Sequence, residues 1–220
     1  MLAENERLHL QKSIAGVEKL ASETLSTHEN ASQAVAFIHQ LHRNIDAVTQ
    51  HAFTLEPKPN CQSGCSHCCI GRRVEVSLPE AFYIAKHLKQ LPQDTVNALL
   101  ERLRVYVENA SSHAINPQQA CTFLDEHLCS IYAFRPAVCR KAHSLSVEAC
   151  AASAPSIPQH LNVILDAEAL IIGTTQAYQS IGLSAQCLEL NAALLAVFTD
   201  DENEVNWLQK NKPMSLYSFD

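Results

Sequence analysis

The distribution of cysteines constrains this chain more than any other feature. Eight of its nine cysteines fall between positions 61 and 150 of a 220-residue sequence, and all other positions carry one. Cysteines that served only as small buried core residues would be spread along the whole chain. Clustered cysteines in a chain without a disulfide framework are typical of metal-binding or redox proteins. The pattern therefore predicts metal or redox chemistry in the middle of the chain.

The compartment decides whether such thiols stay reduced. The first seven residues, 1–7, lack a basic stretch followed by an apolar one, so we expect no signal peptide. The longest apolar run, Ala192–Phe198, has seven residues, whereas a membrane helix needs about 20. We therefore expect a cytoplasmic protein that has no membrane partner and keeps its thiols free.

Composition excludes several classes of function. The chain carries 16 basic and 23 acidic side chains, a net charge of −7, which argues against a nucleic-acid partner because phosphates attract clustered Lys and Arg. At 47% hydrophobic residues it is an ordinary globular protein. Its five glycines cannot supply a Walker loop or a dinucleotide-binding loop.

Outside the cysteine region, apolar residues recur at helical spacing. In the N-terminal part they are Leu10, Ile14, Val17, Ala21, Val35, Ile38, Ile45 and Val48. The prolines at 57 and 59 end this part. We expect one compact domain in three parts, with residues 1–56 as a helical pair packed on the rest, 57–150 as the cysteine-cluster region, and 151–220 as C-terminal helices and a tail.

Further helices are predicted from their start signals. Ser77 and Glu80 have the spacing of a capping box, and Pro92 begins the next helix. Two long apolar helices are predicted at 157–180 and 184–199.

Residues 121–134 break the helical period, which favours a short hairpin, and Pro136 is predicted at the first position of a short helix. The predicted fold class is mainly α, a helical bundle with an irregular cysteine-rich insert that contains this hairpin.

The clustered cysteines form two groups. The first follows the pattern C-x3-C-x2-C-C on a loop, where thiolates can converge on one centre, and the second is more widely spaced. Soft thiolate ligands select zinc or iron–sulfur centres. The predicted metal ligands are Cys61, Cys65, Cys68, Cys69, Cys121, Cys129, Cys139 and Cys150.

Cations surround both groups, and residues 129–141 contain no carboxylate. Nearby cations lower thiol pKa values and stabilise an anionic thiolate centre. The cations concerned are Arg72, Arg73, Arg135, Arg140 and Lys141.

Residues 61–141 resemble the CxxCxxCC cysteine-cluster family of the YkgJ type. The motifs that carry the resemblance are Cys61–Cys69, Cys121-Thr-Phe-Leu124 and Cys129-Ser-Ile-Tyr-Ala-Phe-Arg-Pro-Ala-Val-Cys-Arg140. Thr122 departs from the proline often found in the second motif. The resemblance implies a zinc- or iron-chelating module. One branch of the family is similar to flagellin lysine methylases, which are thought to carry an iron–sulfur cluster.

Three classes of function remain open on the sequence. The first is a metal-centre module that senses or transfers metal, the second an iron–sulfur enzyme such as a flagellin-lysine-like protein methylase, and the third a metal-free thiol–disulfide switch. We predict that one centre draws on both cysteine groups, so that distal residues such as Cys139 complete it.

The metal is predicted to be a [4Fe-4S] cluster, since Cys61, Cys65 and Cys68 have the spacing of three corners of a cubane. Zinc is the alternative, because Cys65-x2-Cys68 also suits a zinc site, and eight cysteines could hold two tetra-thiolate zinc ions.

Several other residues have simpler interpretations. His67 is predicted to be a solvent-facing turn residue rather than a ligand. His39 and His42 lie three apart on a helix and are given structural roles, and Cys187 is predicted to be a small core residue.

Two charged residues are also singled out. Glu168 lies on an apolar stripe, where it either pairs with an arginine or faces solvent. Arg135 is predicted to cap backbone carbonyls or to neutralise the cysteine centre.

Overall fold

The computed structural model describes residues 2–27, 30–112, 118–199 and 203–209. The chain is mainly α, as predicted. Its helices are α1 Glu4–Leu25, α2 Ala31–Ala36, α3 Ile38–Ala52, α4 Leu78–Leu88, α5 Gln93–Ser112, α6 Ala137–Arg140, α7 Val147–Ala151, α8 Leu161–Ser180, α9 Leu190–Thr199 and α10 Asn203–Leu208. Its strands are β1 Glu75–Ser77, β2 Leu124–Asp125, β3 Leu128–Cys129 and β4 Cys187–Glu189, and short 3-10 helices span His67–Cys69 and Tyr132–Phe134.

The bundle forms around α8, against which both α1 and α3 pack, while α9 packs against α4 and α5. Helices α1 and α8 approach closely at Gly173, where an added Cβ would lie 2.7 Å from the Cβ of Val17. The core is mostly apolar, and Ile38, Ile45 and Leu194 are completely buried. Burial of these faces stabilises helices that would be marginal alone.

A short antiparallel ladder joins the starts of α4 and α9. Strand β1 pairs with β4, so that Val76 lies opposite Leu188 and Ser77 opposite Cys187. Each strand runs directly into its helix. The predicted helix over 184–199 is therefore wrong at its beginning, because residues 187–189 alternate between exposed and buried positions with the period of a strand.

The pairing also overturns the prediction for Cys187. Its side chain is exposed, whereas the next residue, Leu188, is 5% exposed and packs in the core. A one-residue change of face follows from the strand geometry, since neighbouring side chains point to opposite sides.

The predicted hairpin is confirmed at β2 and β3, where Leu124 pairs with Cys129 and Asp125 with Leu128. The two turn residues, Glu126 and His127, both have positive φ, at 42° and 68°. This is the backbone of the two-residue turn that matches the twist of paired strands.

Two predicted helix starts differ in detail. Pro136 occupies the N-cap of α6 rather than its first helical position. Ser77 is the N-cap of α4, but its side chain makes no capping bond. Glu80 turns away from it into the interior.

In the part of the chain that the structure describes, no helix combines the length and apolar character needed to cross a membrane.

Candidate metal centre

The backbone brings the two cysteine groups together. The amide of Cys121 donates to the carbonyl of Cys69 at 2.7 Å, and the amide of Gly71 donates to the carbonyl of Gln119 at 2.8 Å. Ile70 and Ala120 form an antiparallel bridge between these bonds. The end of the first group therefore lies beside the start of the second.

The hairpin of β2 and β3 brings Cys129 back toward Cys121. Leu124, which pairs with Cys129, donates its amide to the carbonyl of Cys121 at 2.9 Å. Both of these cysteines pack against the hydrophobic core. Burial raises the pKa of each thiol, and the charge of Cys129 raises that of Cys121 further.

Cys139 lies on α6, near other cysteines of both groups. Burial raises the pKa of its thiol to about 12, and the neighbouring charges that act on it most are Cys121, Cys129 and Cys68. A thiol with this pKa is protonated at neutral pH until a metal displaces its proton.

Two contacts bring the segments that carry Cys61 and Cys150 toward the first cysteine group. The amide of Asn60 donates to the carbonyl of Ser144 at 2.8 Å, and α7, which carries Cys150, packs against the 3-10 helix 67–69. Burial raises the pKa of the Cys61 thiol, and the charges of Cys65 and Cys150 raise it further.

Cys68 and Cys69 interact directly. A hydrogen bond between their sulfurs lowers the pKa of Cys68 and raises that of Cys69. The guanidinium groups of Arg135 and Arg72 also lower the pKa of Cys68. Cys68 is exposed, so the region presents one accessible thiol of anionic character beside two cations.

All nine cysteines are free. Within the described ranges, no three His, Cys, Asp or Glu side chains are already arranged to hold a metal ion. The thiols are neighbours, and coordination requires them to draw closer. Such movement is the usual coupling of metal binding to folding.

The arginines have divided roles. Arg140 is 5% exposed and donates to the carbonyls of Arg135 and Ala133 and to the Asp46 carboxylate, the last at 2.7 Å. The predicted capping of carbonyls by Arg135 is therefore carried out by Arg140. Arg135 instead stacks on the ring of Tyr132 at 3.7 Å.

Arg135 also provides a test of fit for a thiolate centre. Its Nε is buried and has no hydrogen-bond partner in the described residues, although its charge acts on Cys68 and Cys129. A buried donor without an acceptor is costly. An anionic sulfur centre beside it would supply that acceptor, so the residues present fit such a centre.

Glu80 supports the cysteine region, and it does not form the capping box that its spacing from Ser77 predicted. It is 4% exposed, and its Oε1 accepts the amide of Ala137 at 2.6 Å and is hydrogen-bonded to His42 Nε2 at 2.8 Å. The carboxylate thus anchors the beginning of α6, two residues before Cys139. A signal was present, since Glu80 interrupts an apolar stretch from Leu78 to Ile84.

The remaining candidates lie around this region. His39 is hydrogen-bonded to Tyr83 at 3.2 Å, and His67 is partly exposed in the 3-10 helix. Glu168 pairs with Lys141 rather than with an arginine, which ties α8 to the end of α6.

A comparison with known families concerns the same part of the chain. Residues 60–158 match the model of the CxxCxxCC family, described as a "Putative zinc- or iron-chelating domain". This part of the chain, 99 of its 220 residues, is similar to the CxxCxxCC family. The family match covers every cysteine except Cys187 and supports metal binding. No curated protein and no solved structure matches the chain.

Proposed function

We propose that this protein binds an iron–sulfur centre of the [4Fe-4S] type through thiolates from both of its cysteine groups. One observation carries the proposal, namely the backbone pairing that sets Cys121 beside Cys69. It joins residues that are 52 positions apart in sequence and brings segments of both cysteine groups together. A centre within the first group alone would not need this pairing.

The surroundings favour iron–sulfur over zinc. The candidate ligands are all cysteines, and iron–sulfur clusters are held by cysteine thiolates. Arg135 offers an unsatisfied buried donor beside them, and hydrogen bonds to sulfur stabilise the added negative charge of a cluster. Zinc held by four thiolates is the competing occupant.

The chain's own residues would hold the thiols in place. Glu80 holds the amide of Ala137 and Arg140 holds the carbonyl of Ala133. Arg72 and Arg135 lower the pKa of Cys68. A bound iron–sulfur centre would supply one-electron chemistry or a structural cross-link. We further propose that the protein works in the cytoplasm without a nucleic-acid partner, in keeping with free thiols and an acidic net charge.

The test is anaerobic purification followed by metal and acid-labile sulfide analysis. We expect iron and sulfide in equal amounts and visible charge-transfer absorption. Cys139→Ser should lower the metal content, whereas Cys187→Ser, a matched change at an exposed cysteine on β4, should leave it unchanged. Stoichiometric zinc without sulfide would replace iron–sulfur with zinc, and a protein that binds neither metal would refute the proposal.

A further inference from the structure

A buried histidine, His143, joins the two ends of the loop 141–160, which carries α7 and Cys150. The residue is 3% exposed. Its Nδ1 lies 3.1 Å from the carbonyl oxygen of Lys141, and its Nε2 accepts the backbone amide of His160 at 3.0 Å. Both ring nitrogens are therefore bonded to the backbone, one at each end of the loop.

These two contacts determine the protonation state of the ring. A carbonyl oxygen can only accept, so Nδ1 carries a proton and donates to Lys141. A backbone amide can only donate, so Nε2 is unprotonated where it accepts from His160. His143 is therefore held as the neutral tautomer with its proton on Nδ1. A second proton, on Nε2, would point at the amide proton of His160 and would remove this hydrogen bond.

Two further hydrogen bonds hold the ends of the loop together on either side of this ring. The side chain of Gln159 donates to the carbonyl of His143 at 2.8 Å. The amide of Leu145 donates to the carbonyl of Pro158 at 2.9 Å. The bond between His143 and His160 thus lies within the closure of the loop, and a proton that breaks it acts on the whole closure.

The ring of His160 adds an electrostatic cost to a charge on His143. The two rings stack, with centroids 5.9 Å apart and planes 20° apart. His160 Nε2 donates to the carbonyl of Pro57 at 3.0 Å, and it keeps this bond in its charged state because the nitrogen carries a proton in both states. Burial lowers the pKa of His143. The bond to Lys141 opposes this shift, and the charge of His160 adds to it.

The loop and the segments bonded to it hold few groups that could stabilise such a charge. Their other titratable residues are Glu56, Lys58, Cys61, Lys141, Glu148 and Cys150. Both glutamates are exposed, and the ammonium group of Lys141 pairs with Glu168 on α8. Among the described residues, no carboxylate is hydrogen-bonded to His143, so a charge formed on its ring has no counter-ion there.

We infer that His143 is a pH-sensitive switch, which keeps the loop 141–160 closed while its ring is neutral and opens the loop when the ring takes up a second proton. The inference goes beyond the proposed function, because it concerns how the loop is held rather than what its cysteine binds. In the open loop the ring has the ordinary histidine pKa of about 6.5. Because the pKa is lower in the closed loop, closure is fully stable above this value. As the pH falls below it, the opening constant should rise by about tenfold per pH unit until the lowered pKa is reached.

The experiment is hydrogen exchange of the full-length protein as purified, from about pH 7.5 to about pH 5, with each rate corrected for the intrinsic pH dependence of exchange. The amides of Leu145 and His160 report on the loop, and those of α1 serve as the reference. We expect the opening constant of both reporters to rise about tenfold per pH unit below about pH 6.5, while α1 stays constant.

Two variants assign this effect to one ring. His143→Gln keeps an acceptor for the His160 amide but takes up no proton, so it should abolish the pH dependence. His9→Gln changes a histidine on α1 whose side chain is 66% exposed and should leave the dependence unchanged. A second measurement does not require His143→Gln to fold. In the wild-type protein, the ring resonance of His143 in histidine-labelled NMR spectra should titrate over the pH range in which the reporters open.

Three outcomes would overturn the inference. The first is pH-independent protection of both reporters in the wild-type protein. The second is the same pH dependence in His143→Gln as in the wild type, because another group, such as a thiol that loses its metal, would then be responsible. The third is a ring of His143 that titrates outside the range of opening. Metal content measured in the same samples keeps the proposed function separate, since a pH-dependent loop in protein that binds no metal refutes the proposed function alone.

Discussion

The helical bundle and the cysteine region are built on different principles. In the bundle, α1 and α8 have 22 and 20 residues and pack along each other through apolar faces. In the cysteine region, α6 has four residues, α7 has five and each hairpin strand has two. Elements this short cannot bury enough apolar surface to hold themselves. Apolar burial stabilises the bundle, and we expect the proposed metal centre and a few polar anchors to stabilise the cysteine region.

The largest effect is expected from removing the metal, which should destabilise the cysteine region and leave the bundle stable. Strong chelation under anaerobic conditions should destabilise the cysteine region by about 4 kcal/mol if the free metal had been at 1,000 times its Kd. Hydrogen exchange should then show lost protection in residues 60–74 and 118–150, while α1, α8 and the core helix α4 keep theirs. Equal loss in both regions would contradict the comparison.

Lowering the pH should weaken metal binding in the cysteine region. Burial raises the pKa of Cys139 to about 12 and raises that of Cys121, so metal binding must displace their protons. Affinity should therefore fall as the pH falls, by about tenfold per pH unit for each proton displaced. Metal titrations from pH 6 to pH 8 measure this slope. A pH-independent affinity would mean that the thiols are already ionised in the metal-free protein.

Replacing Glu80 should damage the junction between the regions. Glu80→Gln keeps the shape of the side chain but removes the charge that accepts from Ala137 and bonds His42, and should destabilise the fold by about 1–3 kcal/mol. Metal binding that depends on Cys139 should weaken, because Glu80 holds Ala137 two residues before it. Glu101→Gln on the exposed face of α5 is the control. Unchanged metal binding in Glu80→Gln would argue against this role.

A pair of glycine variants tests the bundle alone. Gly173→Ala places a Cβ at 2.7 Å from Val17 and 2.8 Å from the Ile14 carbonyl and should cost about 1–3 kcal/mol. Gly16→Ala, on the open face of α1 with no atom within 4 Å, should stabilise by up to about 1 kcal/mol. Urea unfolding measures both, and neither should change the amount of bound metal. A change in metal content would show that the regions are coupled.

The same contrast explains what the sequence could predict. Helical periodicity predicted the bundle because its residues repeat over many turns, as in α8. It missed β4, because three residues are too few to show a period against the apolar helix that follows. The cysteine spacing indicated a metal-binding region. The support from Glu80 was missed because it depends on two residues, 38 positions before and 57 after it, that only tertiary packing brings near.

The smallest effect is expected at the ion pair that links the two regions. Lys141, at the end of α6, pairs with Glu168 on α8, and their side chains are 20% and 32% exposed. Such partly solvated pairs contribute about 0–1 kcal/mol. A double-mutant cycle with Lys141→Met and Glu168→Gln should give a coupling energy in this range that decreases with added salt. A coupling above about 2 kcal/mol that salt leaves unchanged would mean that charge, rather than apolar contact, docks the cysteine region on the bundle.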